Sequence, residues 1–446
     1  KYFIIITLLS LFNIITFSTS GTEMFGEEGK LYSASSLAMG HTSIIGYRGP
    51  ETIYNNPANL ADTTDLKFDL SYNMLLLSEH RSYPAYSFFD NLIGYQTYVS
   101  NQNVYPDFSF GISKGFKFGA NTVGVGFAYL PVYSFNFDYL EEVRNENDPE
   151  PMKIANNIIE RTGILGSYSL GFGYKFRKLF SVGLAFNMLS GTIDNTVAVR
   201  FTDDALATVP TDPGYTLNST YELSGTSFTV GGNFYLKRFH FGISYKSGAE
   251  VGKTFTFMQD DTMLNDEDLT FKLPSSYGIA IQYLPRNGIW TKIILEYEHI
   301  AWSQFESSIS DILDMGFTDD ELAKYRMLGI NVIENLDDID YYKLGIEHIF
   351  PTGAIMRLGF YNKNSYISKN LKTVGFTAGT GFSVSDLLQI NIGVDVAKRK
   401  YYTSDLFPDS LYSDFYGFMD PVEDRTSQDV VEEVESTIQF SLSFTF

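Results

Sequence analysis

The sequence predicts an all-β chain: a transmembrane antiparallel β-barrel of about fourteen strands, closed in one domain behind an N-terminal hatch. Three observations carry this. The last stretch, Ser436 to Phe446, puts Ile438, Phe440, Leu442, Phe444 and Phe446 on one parity and Thr437, Gln439, Ser441, Ser443 and Thr445 on the other. An extended strand there has one wholly apolar face and one small polar face. Aromatic residues make up 16% of the chain, 38 Phe and 31 Tyr against 2 Trp, with 37 Gly, a mixture that suits strands carrying aromatic girdles. Beyond the N-terminal run no segment offers the 18 or so consecutive apolar residues of a spanning helix, so any crossing falls to strands.

Taken in order, the chain begins with Lys1, a nearly unbroken apolar run from Tyr2 to Phe17, then Ser18-Thr19-Ser20-Gly21. Charge, apolar core and small residues are the order of a secretory signal, expected to span residues 1–20 and to be cleaved near Ser20. With no Cys in 446 residues, disulfides, thiolate nucleophiles and Cys-bound metal are excluded. The next segment, residues 21–65, does not read as strand. It is small and Gly-rich, with Asn56-Pro57 a turn signal and Asn59-Leu60-Ala61 a short helical turn at most. A fourteen-stranded cylinder has a lumen too wide for side chains to fill, so this segment is expected inside it as a hatch, and residues 66–446 as the barrel.

The strands read as Leu66 to Leu76, Tyr105 to Ser113, Ala120 to Phe137, Gly163 to Phe176, Leu179 to Val199, Tyr221 to Leu236 and Phe239 to Phe257. Seven more follow: Thr270 to Leu284, Ile289 to Ala301, Tyr341 to Phe350, Ala354 to Asn362, Leu371 to Phe382, Leu387 to Tyr402 and Glu435 to Phe446. Links such as Lys237-Arg238, Arg177-Lys178, Pro351 to Gly353 and Pro285 to Gly288 are brief, and those between them are long. Barrels of bacterial outer membranes have short periplasmic turns and long outer loops, which puts both termini in the periplasm. Charge agrees. The five long connections 138–162, 200–220, 259–269, 302–339 and 403–435 hold 34 of the 53 acids and 7 of the 32 bases. The acidity belongs to one rim, and nucleic acid is excluded as a natural partner. Within the loops, Met152 to Ile159 and Asp319 to Met327 read as helical patches.

Individual strands assign single residues. The third, Ala120 to Phe137, carries Gly124, Gly126 and Pro131 in its interior; a proline cannot donate to a ladder, so a bulge or kink is expected there. If Phe350 pairs with Ala354, Glu347 lies across from Arg357 as a lumenal ion pair, and Asp395 also faces the lumen. Glycines in G-V-G-F and G-F-G-Y read as strand positions facing the hatch. The five His are scattered without zinc spacing, and no twelve-residue calcium loop accompanies the acidic runs. His240 and Ser244 share the lumenal parity of one strand, but no third group completes a catalytic set. An enzyme is not expected, nor a cofactor.

Leu37-Ala38-Met39-Gly40 followed by Tyr54-Asn55-Asn56-Pro57-Ala58-Asn59-Leu60-Ala61 resembles the signature of the outer-membrane long-chain fatty-acid transporter (FadL-type) family, whose relatives include the porin-like V component of type IX secretion. Leu273 to Gly278 and Glu296 to Ser303 look like the same family's pattern, while His41 and Asn59 stand where glycines are common. The resemblance implies an outer-membrane barrel plugged by a hatch, with hydrophobic cargo leaving sideways at a kink of the third strand. Asn56, Pro57 and Ala58 are then hatch residues, Pro131 marks the gate, and Arg357 is a lumenal cation for a carboxylate head group. The terminal Phe446 is the kind of residue that barrel-assembly machinery reads. Passive transport of hydrophobic small molecules is the leading expectation. The rival is a secretion or assembly component that holds protein partners at the cell surface. A transporter needs an apolar pocket under the loops; a partner-holding barrel needs a polar lumen and an exposed apolar loop tip such as Phe415 to Met419.

Overall fold

The computed structural model describes residues 27–28, 33–62, 64–89, 91–145, 152–208, 214–259, 262–285, 290–307, 336–403, 405–407, 411–412 and 428–446. The signal reading, the patch Asp319 to Met327 and the tip Phe415 to Met419 lie outside them. A two-residue strand, β1 (Glu27–Glu28), precedes the wall. The wall opens with β2 (Leu66–Tyr86) and β3 (Leu92–Phe118); β4 (Asn121–Ser134) and β5 (Phe137–Asn145) share the third position. Next come β6 (Met152–Phe176), β7 (Phe180–Phe201) and β8 (Gly214–Leu236). β9 (Phe239–Lys246) continues into β10 (Ala249–Gln259), and β11 (Thr262–Leu273) into β12 (Ser276–Tyr283). After β13 (Trp290–Ile300) and the short β14 (Glu306–Ser307) come β15 (Ile339–Ile349), β16 (Ile355–Asn364), β17 (Lys372–Ser383), β18 (Leu388–Thr403) and β19 (Asp429–Thr445). β19 pairs with β2 from Thr445↔Lys67 to Val430↔Ser82, which closes an antiparallel ring of fourteen wall strands.

Side-chain parity decides what faces out. On β7, Val182, Leu184, Phe186 and Met188 are each about half exposed, while Ala185, Asn187 and Leu189 between them are buried inward. The same outward rows recur on β3, β9, β12 and β19, so the outer wall is an apolar band of the kind only lipid can cover. Inside, residues 33–62 fold into a helical turn Ala34–Leu37 and two 3-10 turns, Pro50–Thr52 and Pro57–Asp62, almost wholly buried. The wall makes room for them by giving up side chains. A Cβ on Gly124 would lie 2.1 Å from the Leu60 carbonyl oxygen, on Gly183 2.3 Å from the Ala58 nitrogen, and on Gly231 1.9 Å from Asn56 Oδ1.

Two expectations are corrected. The strands outrun their sequence reading at the loop end: the first reaches Tyr86, the fourth begins at Met152, and most of 138–162, 200–220 and 259–269 is strand. Met152 to Ile159 is accordingly extended, because it pairs with β5 on one side and β7 on the other. Ladder partners on both edges outweigh a local helical pattern. At the other end Phe350 N–H donates to Ala354 O and Glu347 faces Arg357, in the expected register.

Candidate functional site

The two halves of the lumen differ in chemistry. In the half near the short turns, residues 33–62 are fastened to the wall by polar groups. Asn56 Nδ2 donates to Asn233 Oδ1 on β8 (2.9 Å) and to Ile44 O (2.8 Å), and Asn233 Nδ2 returns a bond to Asn59 Oδ1 (2.8 Å). Both N–H groups of Ser43 and Ile44 donate to Glu296 Oε2 at 2.8 and 2.9 Å. Glu296 in turn accepts from Lys343, which also donates to Glu298. Each buried charge has an opposite neighbour, as burial demands. Pro57 and Ala58 sit against Gly173 and Gly183, where only the absence of a side chain admits them. Ser244 Oγ donates to Asn55 O, so the serine that shares a parity with His240 serves the same interface.

Gly40 and His41 are consecutive residues in the left-handed region, φ +66° and +64°, which explains why glycine is favoured at both positions. His41 compensates with side-chain contacts: Nδ1 lies 2.5 Å from Tyr341 Oη, Nε2 lies 3.3 Å from Asp395, and the ring stacks on Tyr361 at 4.4 Å. Sequence reading placed Asp395 in the lumen but found no partner for it; His41 is more than three hundred residues away. A cleft of about 520 Å³ opens beside this packing at the short-turn end. Its lining is polar, with Lys175 held by Asp62 (2.7 Å) and Lys292 by Glu347 (3.1 Å). Arg357 lies close by. Its guanidinium donates to Glu347 (2.7 Å) and Asn391 (3.0 Å), so it enters a built ion pair.

The half near the loops is apolar. Phe135, Phe137, Tyr139, Ile154, Val197, Trp302 and Phe407 belong to one buried cluster that spans β4 to β8 and reaches across to β15 and β16. Beside it the ladder fails. β3 pairs with β4 only from Phe118↔Asn121 to Phe110↔Tyr129, whereas β4 and β5 continue along β6. Pro131 stands just past the last β3–β4 pair, and the β4–β6 register shifts between Pro131 and Tyr133. Asn136 then leaves the ladder, its Oδ1 accepting from Gly163 N. Two single bonds cross the break: Asn103 Nδ2 to Asp138 O (2.6 Å) and Asp138 N to Tyr105 Oη (2.8 Å). β1 pairs with Tyr133 and Ser134 on the edge that β3 leaves vacant.

Arg81, which sequence reading missed, borders the apolar cluster. It is fully buried; Nε donates to Glu79 (2.7 Å), and the guanidinium lies 5.3 Å from the centre of the Tyr139 ring. Nη1 and Nη2 have no hydrogen-bond partner among the described residues. The only signal in the sequence was a charge pair, Glu79 and Arg81, on the inward parity of an extended strand.

A family model described as BamG matches residues 94–413. The chain belongs to the BamG family. This BamG-family chain matches no curated protein. Its fold is similar to that of a FadL homologue from Pseudomonas aeruginosa, with a TM-score of 0.60 at 11% identity over 95% of this chain and 100% of that one. The toluene transporter TodX of P. putida gives 0.58 at 13% identity over 94% and 99%. The toluene transporter TbuX of Ralstonia pickettii gives 0.55 at 13% over 97% and 100%. The fold is therefore that of the FadL-type barrels.

Proposed function

We propose that the protein carries hydrophobic small molecules into the outer membrane through a plugged barrel, admitting them at the loop end and releasing them sideways between β3 and β4. One observation carries this reading: the buried apolar cluster lies beside the place where the wall ladder stops. Cargo that enters from the cell surface meets apolar side chains first, and the route straight down is filled by residues 33–62 and a polar cleft. A hydrophobic molecule gains by leaving through the wall into lipid. Pro131 and the break at Asn136 keep that wall open, and β1 rests in the opening as its movable stop. The likeness to transporters of toluene and of fatty-acid type adds support.

Within this reading Arg81 is the anchor for an acidic head group. Its two free N–H edges match a carboxylate fork, and the neighbouring aromatic side chains take the tail. Arg357, at the short-turn end, is a second cation, met only by cargo that passes the hatch. Asn56, Pro57 and Ala58 hold the hatch shut.

The test uses the chain's lack of cysteine. Asn103→Cys with Asp138→Cys places a reversible staple across the break, in full-length protein in its own membrane. Cells take up a labelled long-chain fatty acid and, separately, labelled toluene. Oxidation should reduce uptake to that of a deletion strain and a reductant should restore it. Unchanged uptake in the stapled protein would remove the sideways route.

A further inference from the structure

The hairpin made by the outer parts of β2 and β3 stands apart from the rest of the wall. The apolar band on these strands ends at a cross-strand pair, Leu76 and Val104. Beyond it the outward residues of β2 are Ser78, His80 and Ser82, and those of β3 are Gln102 and Ser100. The tip, Phe88, lies twelve residues past Leu76. At strand rise and ordinary barrel tilt that is roughly 30 Å above the lipid band. Lipid therefore does not cover it.

The tip is nonetheless apolar. Phe88 is 95% exposed and Phe89 80%, with Ile93, Tyr86, Leu92 and Tyr95 each half exposed or more. Among the described residues β3 has no strand partner on its outer edge from Leu92 to Ser109, and β2 loses β19 beyond Ser82. The hairpin combines exposed aromatic side chains with an unpaired strand edge, the two features by which a sheet takes up an extended segment of another protein.

Charge selects the partner. From Ser82 to Gln102 the only charged residue is Asp90. The flanking segments are acidic: 404–428 carries six acids and one base, and 138–153 carries six acids and two bases. The first of these returns to the wall at Asp429, whose carboxylate accepts from Tyr98 Oη on the hairpin itself (2.5 Å). A second copy of this chain would bring the same acidic flanks and be repelled. We propose that the β2–β3 hairpin is a docking surface for a different protein at the cell surface, one that adds an extended apolar segment along β3 and turns basic side chains toward the acidic flanks.

The experiment places a photo-reactive benzoylphenylalanine at Phe88, and at the lipid-facing Tyr72 as control, in full-length protein in its own membrane. The expected result is an adduct at position 88, absent at 72, with one protein identified by mass spectrometry. Titrated against the purified barrel, that protein should bind roughly tenfold or more weakly to the Phe88→Ser, Phe89→Ser variant. Its affinity should also fall as salt rises from about 50 mM to about 500 mM. The variant's heat-shifted migration on gels should match the parent's, which shows the barrel intact. Adducts only with lipid, only with a second copy, or none at all would overturn the proposal, as would a partner whose affinity ignores both the variant and salt.

Discussion

The two halves of the lumen solve opposite problems with the same fourteen strands. Near the short turns the wall is stripped to glycine at Gly124, Gly183 and Gly231, so that a folded segment fits against backbone. The contacts that hold it are hydrogen bonds and ion pairs with fixed partners. Near the loops the inward positions are large and apolar, few of them bond to anything, and one ladder is missing between β3 and β5. The first half is specified atom by atom, whereas the second is specified only by what it repels. A filled, polar lower half is a seal; an apolar upper half beside a seam is a place where a molecule without hydrogen-bonding groups can rest and depart.

Four changes test that contrast. The largest expected effect is in the sealed half. Gly183→Val drives a side chain into the Ala58 nitrogen and Pro57 carbonyl carbon, 2.3 and 2.4 Å from the added Cβ. Backbone on both sides cannot yield, so the hatch should leave its seat and ion conductance in planar bilayers should rise several-fold while the barrel stays folded. Next is the apolar half: Arg81→Met should weaken uptake of a fatty acid by about tenfold, the worth of a charge-assisted pair, and leave toluene uptake unchanged. Equal losses for both would show that Arg81 supports packing alone.

Asn233→Ala removes the bridge to Asn56 and Asn59 and leaves their amides short of partners. The expected cost is about 2–3 kcal/mol in the seating of the hatch, read as a lower denaturant midpoint for protease cleavage within residues 33–62. The smallest effect is a pH dependence. Burial, reinforced by the Asp69 carboxylate, pushes the Glu51 carboxyl well above its ordinary range. The seated hatch therefore holds a proton that the released hatch gives up. Seating is strongest at acid pH and weakens as pH rises above the ordinary carboxylate range toward the raised value. Background conductance should climb modestly from about pH 5 to about pH 8, and Glu51→Gln should flatten the climb.

How legible each half was in the sequence follows from the same contrast. Alternation reveals a strand where one face meets lipid, so Leu66 to Leu76 and Ile438 to Phe446 were readable. Above the lipid band Ser78, His80 and Ser82 face out while Leu77, Glu79 and Arg81 face in. Both faces are then mixed, and β2 could not be followed to Tyr86. Pro131 announced an irregularity because its chemistry is local, and Glu347 with Arg357 followed from one short turn. The contacts of Asn56 with Asn233 and of His41 with Asp395 join residues hundreds of positions apart, and no pattern in the chain marks them.

The seam that closes the ring has a further consequence. Ala34 N–H, at the start of the hatch, donates to Ser441 Oγ on the last strand (2.8 Å), and Ser441 shares a hydrogen bond with Ser71 on the first (2.7 Å). The earliest part of the lumen filling thus rests on the joint that is made last, since β19 is the final strand to leave the ribosome. Ring closure and hatch seating are then a single cooperative event. Any factor that guides the last strand into place also decides whether the newborn barrel is sealed or leaky.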